Sequence, residues 1–182
     1  MIPILYYLLP RNIALVVMAC ATSLFLLVDF ARLRLTHFKD IFIVLFGSLL
    51  RRREFTSLTG GSYLMLAALA GMLMFGTNRG VFIAAISFLA VGDTVAAIVG
   101  LSVGRIRVFR KTLEGTLAGL GADIGIAYLV SILPGLDLPL GIGILGAVSA
   151  SVVEALPFEV NDNVVVPLFS GIVMMIALLL YH

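Results

Sequence analysis

The sequence has little charge and almost no cysteine. Only 12% of its 182 residues are charged, and Cys20 is the single cysteine. One cysteine excludes an intrachain disulfide and any cysteine-based metal cluster. The sequence also contains no P-loop of the form G-x-x-x-x-G-K-[ST], no dinucleotide fingerprint following a strand and no H-E-x-x-H zinc helix. The usual nucleotide and zinc motifs of soluble enzymes are therefore excluded.

Apolar residues are what the sequence does have, and they determine its class. They make up 62% of the chain, and the mean hydropathy is +1.19. A chain of this composition cannot bury its apolar surface in one water-soluble core, so we predict an integral membrane protein. We expect an all-α, polytopic helix bundle in the bilayer, with residues 1–182 forming a single integral membrane domain. We expect no nucleic-acid partner, and the oligomeric state stays open.

Six apolar stretches are long enough to cross a bilayer of ordinary thickness. They cover residues 12–30, 61–77, 80–101, 115–133, 139–157 and 164–182. The stretch 41–50 is apolar but too short to cross, and basic residues flank it on both sides. We therefore predict about six transmembrane helices and one short interfacial helix.

The basic residues are distributed unequally between the two sides of this bundle. Threading the spans alternately puts residues 31–60, 102–114 and 158–163 on one side of the membrane. Of the lysines and arginines, only Arg11 and Arg79 lie on the other side. The first side carries Arg32, Arg34, Lys39, Arg51, Arg52, Arg53, Arg105, Arg107, Arg110 and Lys111. Because short cytoplasmic loops are enriched in lysine and arginine, we expect this side to be cytoplasmic.

An acidic residue lies inside the third span, in the stretch GDTVAAIVG at 92–100. A carboxylate within a bilayer costs about 2.5 to 3.5 kcal/mol on insertion scales, so Asp93 is a candidate functional residue. On a helix, Asp93 shares a face with Ala96, Ala97 and Gly100, and with Gly104 if the helix continues. This strip of small residues allows close approach by a ligand, or by a neighbouring helix as in a packing seam.

A basic loop follows that span and leads into the next helix. Arg105, Arg110 and Lys111 lie in it, and Thr112 is placed to cap the helix that begins at about Glu114. Cations facing a helix N-terminus favour phosphate binding. The alternative is that these cations only set topology or attract anionic lipid head groups.

A second acidic segment lies between the last two spans. Pro157 should end the fifth span, and Pro167 fits best in the first turn of the sixth. Between them, Asp162 and Asn163 offer the oxygen ligands that Mg²⁺ prefers, and Glu154 lies in the cytoplasmic half of the fifth span. The alternative for this segment is a solvated turn before the helix. Together with Asp93 and the basic loop, these groups suit phosphoryl transfer.

Three segments resemble the CTP-dependent lipid-alcohol kinases, the family of dolichol kinase, phytol kinase and the fungal CTP-dependent diacylglycerol kinase. The matching segments are GDTVAAIVG at 92–100, RKTLEGTLAG at 110–119 and VVEALPFEVNDNVVVPL at 152–168, with a weaker match in RRREFTSLTGGSYLMLAALAG at 51–71. The sequence departs from the family where many members have an N-terminal Arg-Lys segment with a nearby histidine. Arg51 to Arg53 are candidates to replace it.

This resemblance implies a reaction, two cofactors and a set of residues. It implies transfer of the γ-phosphate of CTP, with Mg²⁺, to the hydroxyl of a polyprenol, another isoprenoid alcohol or diacylglycerol at the cytoplasmic face. The implied nucleotide-binding residues are Gly92, Gly100, Gly104, Arg105, Arg110, Lys111, Thr112, Glu114, Gly115 and Asn163. The implied catalytic residues are Asp93, Glu154 and Asp162, of which Asp93 and Asp162 would hold the metal.

Two other functions stay open. A cytidylyltransferase that makes a CDP-lipid would also use CTP in the membrane, although the C-terminal signature of the phosphatidate cytidylyltransferases is missing. A small transporter would line a polar path with Asp93, Asp123 and Glu154, and the central position of Asp123 favours it.

Overall fold

Apolar helices account for nearly all of the fold. The structure is a computed structural model that describes residues 1–109, 111–157 and 160–181, and the side chain of Leu49 also lies outside the description. The helices are α1 (Ile2–Leu8), α2 (Arg11–Arg34), α3 (Thr36–Phe46), α4 (Gly60–Met74), α5 (Arg79–Ser87), α6 (Asp93–Val103), α7 (Leu113–Ile132), α8 (Leu140–Ala155) and α9 (Asp162–Tyr181). The prediction of an all-α helix bundle is confirmed.

Each of the six predicted spans is a helix. Four helical stretches are long and apolar enough to cross a membrane: Arg11–Arg34, Arg79–Val103, Leu113–Ile132 and Asp162–Tyr181. The other two, α4 and α8, have 15 and 16 residues, fewer than the roughly 20 that an untilted span needs. Helix α8 ends at Ala155, two residues before Pro157, because the residue before a proline disfavours helical backbone.

The central helix of the bundle is the one that carries Asp93. Helix α5 is buried from Gly80 to Ile86 and continues through a π-helical segment, Phe88–Gly92, into α6. A π-turn widens a helix by one residue and is common at functional sites. Asp93 is the first residue after this segment, so the irregular turn rotates the helix at the position of the acidic side chain.

Three features were not predicted from the sequence. The short helix α1 was missed, and a pair of antiparallel strands, β1 (Arg107–Val108) and β2 (Lys111–Thr112), lies in the segment predicted as a loop. The expectation that Pro167 stands in the first turn of the last helix was wrong. Helix α9 already begins at Asp162 and continues past the proline, which lies inside the helix.

Arg79 holds α1 against the bundle. Its guanidinium donates to the carbonyl oxygens of Tyr6 and of Leu9, the latter at 2.7 Å. It also lies 5.1 Å from the centre of the Tyr6 ring. These carbonyls belong to the C-terminal end of α1, where a helix leaves them without partners of its own. A single cation at the start of α5 therefore caps the preceding short helix.

A buried ion pair anchors the C-terminal end of α2, on the side that carries most of the basic residues. Asp29 and Arg32 are each 1% exposed, and Arg32 Nη2 lies 2.9 Å from Asp29 Oδ1. The other carboxylate oxygen of Asp29 accepts from Thr59 N at 2.7 Å and from Ser62 Oγ at 2.7 Å. Asp29 thereby fixes the N-terminal turn of α4 against α2.

Arg32 also organises the segment between α3 and α4. Its Nη1 donates to the Glu54 carbonyl at 2.5 Å and its Nη2 to the Ser57 carbonyl at 2.8 Å. The Glu54 side chain then accepts from Gly60 N at 3.0 Å and from Arg51 N at 3.0 Å. A segment of short 3₁₀ turns, Gly47–Leu49 and Arg52–Phe55, is therefore held by hydrogen bonds to polar groups of α2 and α4.

We predict that Arg32→Ala destabilises the protein strongly. Removing one member of a buried ion pair leaves the other charge without compensation, which costs about 3 to 5 kcal/mol. Thermal unfolding of the purified protein in detergent should show a large fall in Tm. Arg34→Ala is the matched control, because Arg34 lies in the same helical turn and is exposed. Equal Tm values for the two variants would contradict the anchoring role.

Candidate active site

One lysine joins two acidic residues that are far apart in the sequence. Lys111 Nζ lies 2.9 Å from Asp93 Oδ1 and also donates to Glu154 Oε1. The side chains of Glu154, Lys111 and Asp93 are 6%, 20% and 43% exposed. The three residues come from β2, α6 and α8, so the bundle brings together three candidates that the sequence had placed in separate motifs.

The strand pair and a helix cap set the position of Lys111. Strand β1 pairs with β2 so that Val108 lies opposite Lys111 and Arg107 opposite Thr112. Phe109, at the tight connection, has a φ of 53°, a left-handed conformation that is uncommon for a bulky residue. Thr112 then caps α7, because its Oγ1 accepts from Gly115 N at 3.2 Å. The predicted cap at Thr112 is confirmed.

An open cleft of about 620 Å³ extends from Asp93 along α6 to the strand pair. Its lining residues are Asp93, Ala96, Ala97, Gly100, Leu101, Gly104, Arg105, Arg107, Phe109, Lys111 and Thr112. We call it the basic cleft, because arginine and lysine supply most of its charge. The predicted strip of small residues forms one wall, and the predicted basic segment forms the other. Three cations beside a helix N-terminus favour an anionic ligand.

The same small residues also bring α6 and α7 into close contact. A Cβ added to Gly115 would lie 2.5 Å from the Ala96 carbonyl oxygen and 3.1 Å from Gly100 Cα. A Cβ added to Gly119 would lie 3.0 Å from the Gly92 carbonyl oxygen. The packing seam that the sequence left open is therefore present. Gly92 and Gly115 face the seam, and Gly100 lies in the seam while it also lines the cleft.

Other predicted nucleotide-binding residues lie at the edge of the cleft or outside the described residues. Glu114 accepts from Ile106 N at 3.3 Å and so ties the start of the strand pair to α7. Arg105 is exposed at the mouth of the cleft. Arg110 lies outside the described residues.

Three residues that line the cleft, Leu101, Arg107 and Phe109, are missing from the predicted site and from the predicted strip of small residues. The alternation of basic and apolar residues in RIRV, at 105–108, is a period of two that favours a strand. That pattern was the available signal for the strand that carries Arg107.

Asp162 does not line the basic cleft. It lines a separate recess of about 140 Å³ with Arg51, Arg53 and Tyr63, because α9 begins against the segment that precedes α4. The turn before α9 contains the expected local hydrogen bond, since Asn161 Oδ1 accepts from Asn163 N at 3.0 Å. Within the described ranges, no group of three or more histidine, cysteine or acidic residues could hold a metal. Asp93 and Asp162, which were predicted to hold one metal ion, line different cavities, and their joint metal site stays a prediction.

The oxygen atoms beside Lys111 fit a different way of holding Mg²⁺. This ion binds one or two carboxylates together with substrate phosphates and waters. Asp93 is partly exposed and lines the basic cleft. Glu154 contacts the same lysine and is more deeply buried. Asp93 is therefore the side chain that could share a magnesium ion with a bound triphosphate.

Asp123, which favoured a transporter, is enclosed by helices. It is 1% exposed and accepts one long hydrogen bond, 3.5 Å, from Ser151 Oγ. A Cβ added to Gly92 would collide with the Asp123 carboxylate. Asp123 lines neither the basic cleft nor the recess at Asp162. Its carboxylate lies against Gly92, the residue that precedes Asp93.

Comparisons with known proteins connect the chain to one enzyme. Dolichol kinases of mouse, cattle and human are each 38% identical to it over 92 residues, which cover 48% of this chain but 17% of each dolichol kinase. An uncharacterized protein of Rickettsia prowazekii is 25% identical over 171 residues, 91% of this chain and 83% of that protein. No family model and no solved structure matches. About half of the chain thus has a dolichol kinase-like relationship, within an integral membrane protein.

We predict that Gly115→Ala destabilises the protein and lowers its activity. The added methyl group would press on Ala96 and Gly100 and separate α6 from α7, and overpacking of this kind costs about 1 to 3 kcal/mol. Gly121→Ala, in the same helix, has no atom within 4 Å of the added carbon, and should be neutral or stabilising by up to about 1 kcal/mol. The Tm values of the two variants, measured in detergent, test this prediction. A Gly115 variant as stable as the Gly121 variant would contradict the seam.

Proposed function

We propose that this protein is a membrane-embedded kinase that transfers the γ-phosphate of CTP to the hydroxyl of a lipid alcohol. The acceptor is a polyprenol, another isoprenoid alcohol or diacylglycerol. The observation that carries the proposal is the ion-paired group of Lys111, Asp93 and Glu154 at the end of a basic cleft. The partial similarity to dolichol kinases supports a lipid-alcohol acceptor, and the choice of CTP follows from the resemblance of segments 92–100, 110–119 and 152–168.

The triphosphate of CTP would occupy the basic cleft. Arg105, Arg107 and Lys111 line it, and cations placed around the γ-phosphate stabilise the charge that spreads over its oxygens during transfer. Thr112, the N-cap of α7, lines the same cleft. Mg²⁺ shared between Asp93 and the phosphates would neutralise further negative charge.

Asp93 would act on the acceptor hydroxyl. As the alcohol oxygen forms its bond to the γ-phosphorus, the bond from that phosphorus to the β–γ bridging oxygen breaks, and CDP leaves with the electron pair. The hydroxyl proton passes to the Asp93 carboxylate. A positioned general base contributes about 10² to 10⁴ in rate. Glu154 touches Lys111 rather than the reacting atoms, so we assign it a positioning role.

The charge distribution supports a cytoplasmic site. The cleft lies at the end of α6 where Arg105, Arg107 and Lys111 follow, and this is the side that carries ten of the twelve basic residues. By the positive-inside rule this side faces the cytoplasm, where CTP is available. The lipid bilayer, the nucleotide and the acceptor alcohol are then the partners of the protein.

We predict that label from the γ-phosphate, and not from the α-phosphate, reaches the lipid. Purified protein would be given γ-labelled or α-labelled CTP with Mg²⁺ and a panel of isoprenoid alcohols and diacylglycerol. With γ-labelled CTP, the expected product is a labelled lipid phosphate. With α-labelled CTP, the lipid should carry no label. Excess unlabelled ATP, added in parallel, tests the choice of CTP.

Two results would overturn the proposal in different ways. An α-labelled lipid formed with release of pyrophosphate would make the protein a cytidylyltransferase. Failure of the protein to bind CTP or Mg²⁺ under any condition would contradict an enzymatic function and favour a transporter. Protein carrying Lys111→Met, which lacks the cation between Asp93 and Glu154, is the negative control for background transfer.

A further inference from the structure

We propose that a second, apolar groove on the other side of Asp93 binds the hydrocarbon chain of the acceptor alcohol and places its hydroxyl at Asp93. This inference rests on the proposed function and adds to it the binding site of the acceptor. The groove has a volume of about 390 Å³, within the range of about 300 to 1,000 Å³ that small-molecule pockets occupy.

The groove is apolar along most of its length. Its lining residues are Met1, Ile2, Pro3, Leu64, Met65, Ile86, Leu89, Ala90, Asp93, Thr94 and Asn163. They come from Met1 and α1, from α4, α5 and the π-helical segment, and from the starts of α6 and α9. Eight of these eleven side chains are aliphatic or methionine, so the groove offers a hydrocarbon chain a dry surface and offers a nucleotide almost no polar contact.

The polar side chains that line the groove are those of Asp93, Thr94 and Asn163. Thr94 Oγ1 donates to the Ala90 carbonyl at 2.7 Å, which leaves its oxygen able to accept. Asn163 Nδ2 donates to the Gly60 carbonyl at 2.9 Å, which leaves its own carbonyl oxygen as an acceptor. Lys111 bonds Asp93 at Oδ1. Three acceptors in an otherwise apolar groove suit a ligand that has one hydroxyl donor on a long hydrocarbon chain.

Asp93 lines both the groove and the basic cleft. A ligand whose hydroxyl reaches Asp93 from the groove would therefore meet the triphosphate that lies in the cleft. This juxtaposition is what a transfer between a membrane-soluble acceptor and a water-soluble donor requires. It also identifies a role for the π-helical turn, which ends at Asp93 and contributes Leu89 and Ala90 to the groove.

Exposed apolar residues show how a lipid would reach the groove. Ala90 is exposed and lies in the membrane-spanning stretch Arg79–Val103. In a membrane-spanning helix such a surface faces lipid, so a hydrocarbon chain can pass from the bilayer into the groove without crossing water. Among the lining side chains Asp93 alone is charged, and it pairs with Lys111.

Three tryptophan substitutions on one continuous helix separate the groove from the cleft. Ala90 lines only the groove, Ala97 lines only the cleft, and Ile98 lines neither and is 60% exposed. Each of Ala90→Trp, Ala97→Trp and Ile98→Trp would be purified in detergent, checked by Tm, and assayed at varied alcohol and varied CTP. A photoreactive long-chain alcohol, crosslinked to the wild-type protein and mapped by peptide mass, reports binding without turnover.

The expected result is a split between the two substrates. Ala90→Trp should raise the KM for the alcohol by about tenfold or more and leave the KM for CTP within about twofold, because only the groove is filled. Ala97→Trp should do the reverse, and Ile98→Trp should change neither. The crosslink should map to groove residues of α4 and the π-helical segment. The parent alcohol should compete with the probe, whereas its methyl ether, which has no donor for Asp93, should compete poorly.

Failure of the groove and failure of the kinase are distinguishable. Active protein in which Ala90→Trp leaves the KM for the alcohol unchanged, or in which the crosslink maps elsewhere, would overturn the groove and keep the kinase. Equal competition by the alcohol and its methyl ether would show nonspecific binding of bilayer chains and also overturn it. A crosslink in the groove, displaced by the alcohol, with no transfer of label would support the groove and overturn the kinase.

Discussion

The contact of Lys111 with Asp93 and Glu154 is the interaction on which the site depends. Two carboxylates in an apolar bundle repel each other, and burial disfavours the charged form of each. The lysine between them pairs with both, and it reaches them only because the strand pair turns the chain back from α6 toward α7. Loss of the lysine would leave two carboxylates with no counter-charge between them, whereas loss of Asp93 would leave the pair of Lys111 with Glu154.

The close packing of α6 on α7 makes this contact possible. Glycine and alanine at Gly92, Ala96, Gly100, Gly115 and Gly119 allow the two helices to approach until backbone meets backbone. The seam then leaves an uncovered side of α6 along which the basic cleft runs. The small residues therefore allow both the close packing of the two helices and the approach of a ligand to α6. On the other side of Asp93 the same continuous helix forms a wall of the apolar groove. The cleft for the phosphate donor and the groove for the acceptor are therefore both lined by this helix.

Local signals were sufficient to predict much of this from the sequence. Hydropathy located all six apolar helices, and the Thr112 cap followed from the residue type before a helix. Depth and charge sign placed Asp93, Lys111 and Glu154 on the same side, and the structure joins them. The strand pair was missed because four paired residues give little periodic signal beside long apolar runs. Asp162 was assigned to the wrong neighbourhood, since sequence does not show that α9 begins against Arg51 and Arg53. The Asp29–Arg32 anchor was also missed, although its spacing of three on a helix was a usable signal.

The most direct test of the account is the γ-phosphate transfer rate of Asp93→Asn, measured together with its affinity for CTP. The substitution keeps the size of the side chain and removes the proton acceptor and the negative charge. The account predicts a loss of about 10² or more in transfer, a Tm close to that of the wild type because Lys111 keeps its pair with Glu154, and an unchanged affinity for CTP measured without Mg²⁺. An Asp93→Asn protein that transfers phosphate at the wild-type rate would contradict it.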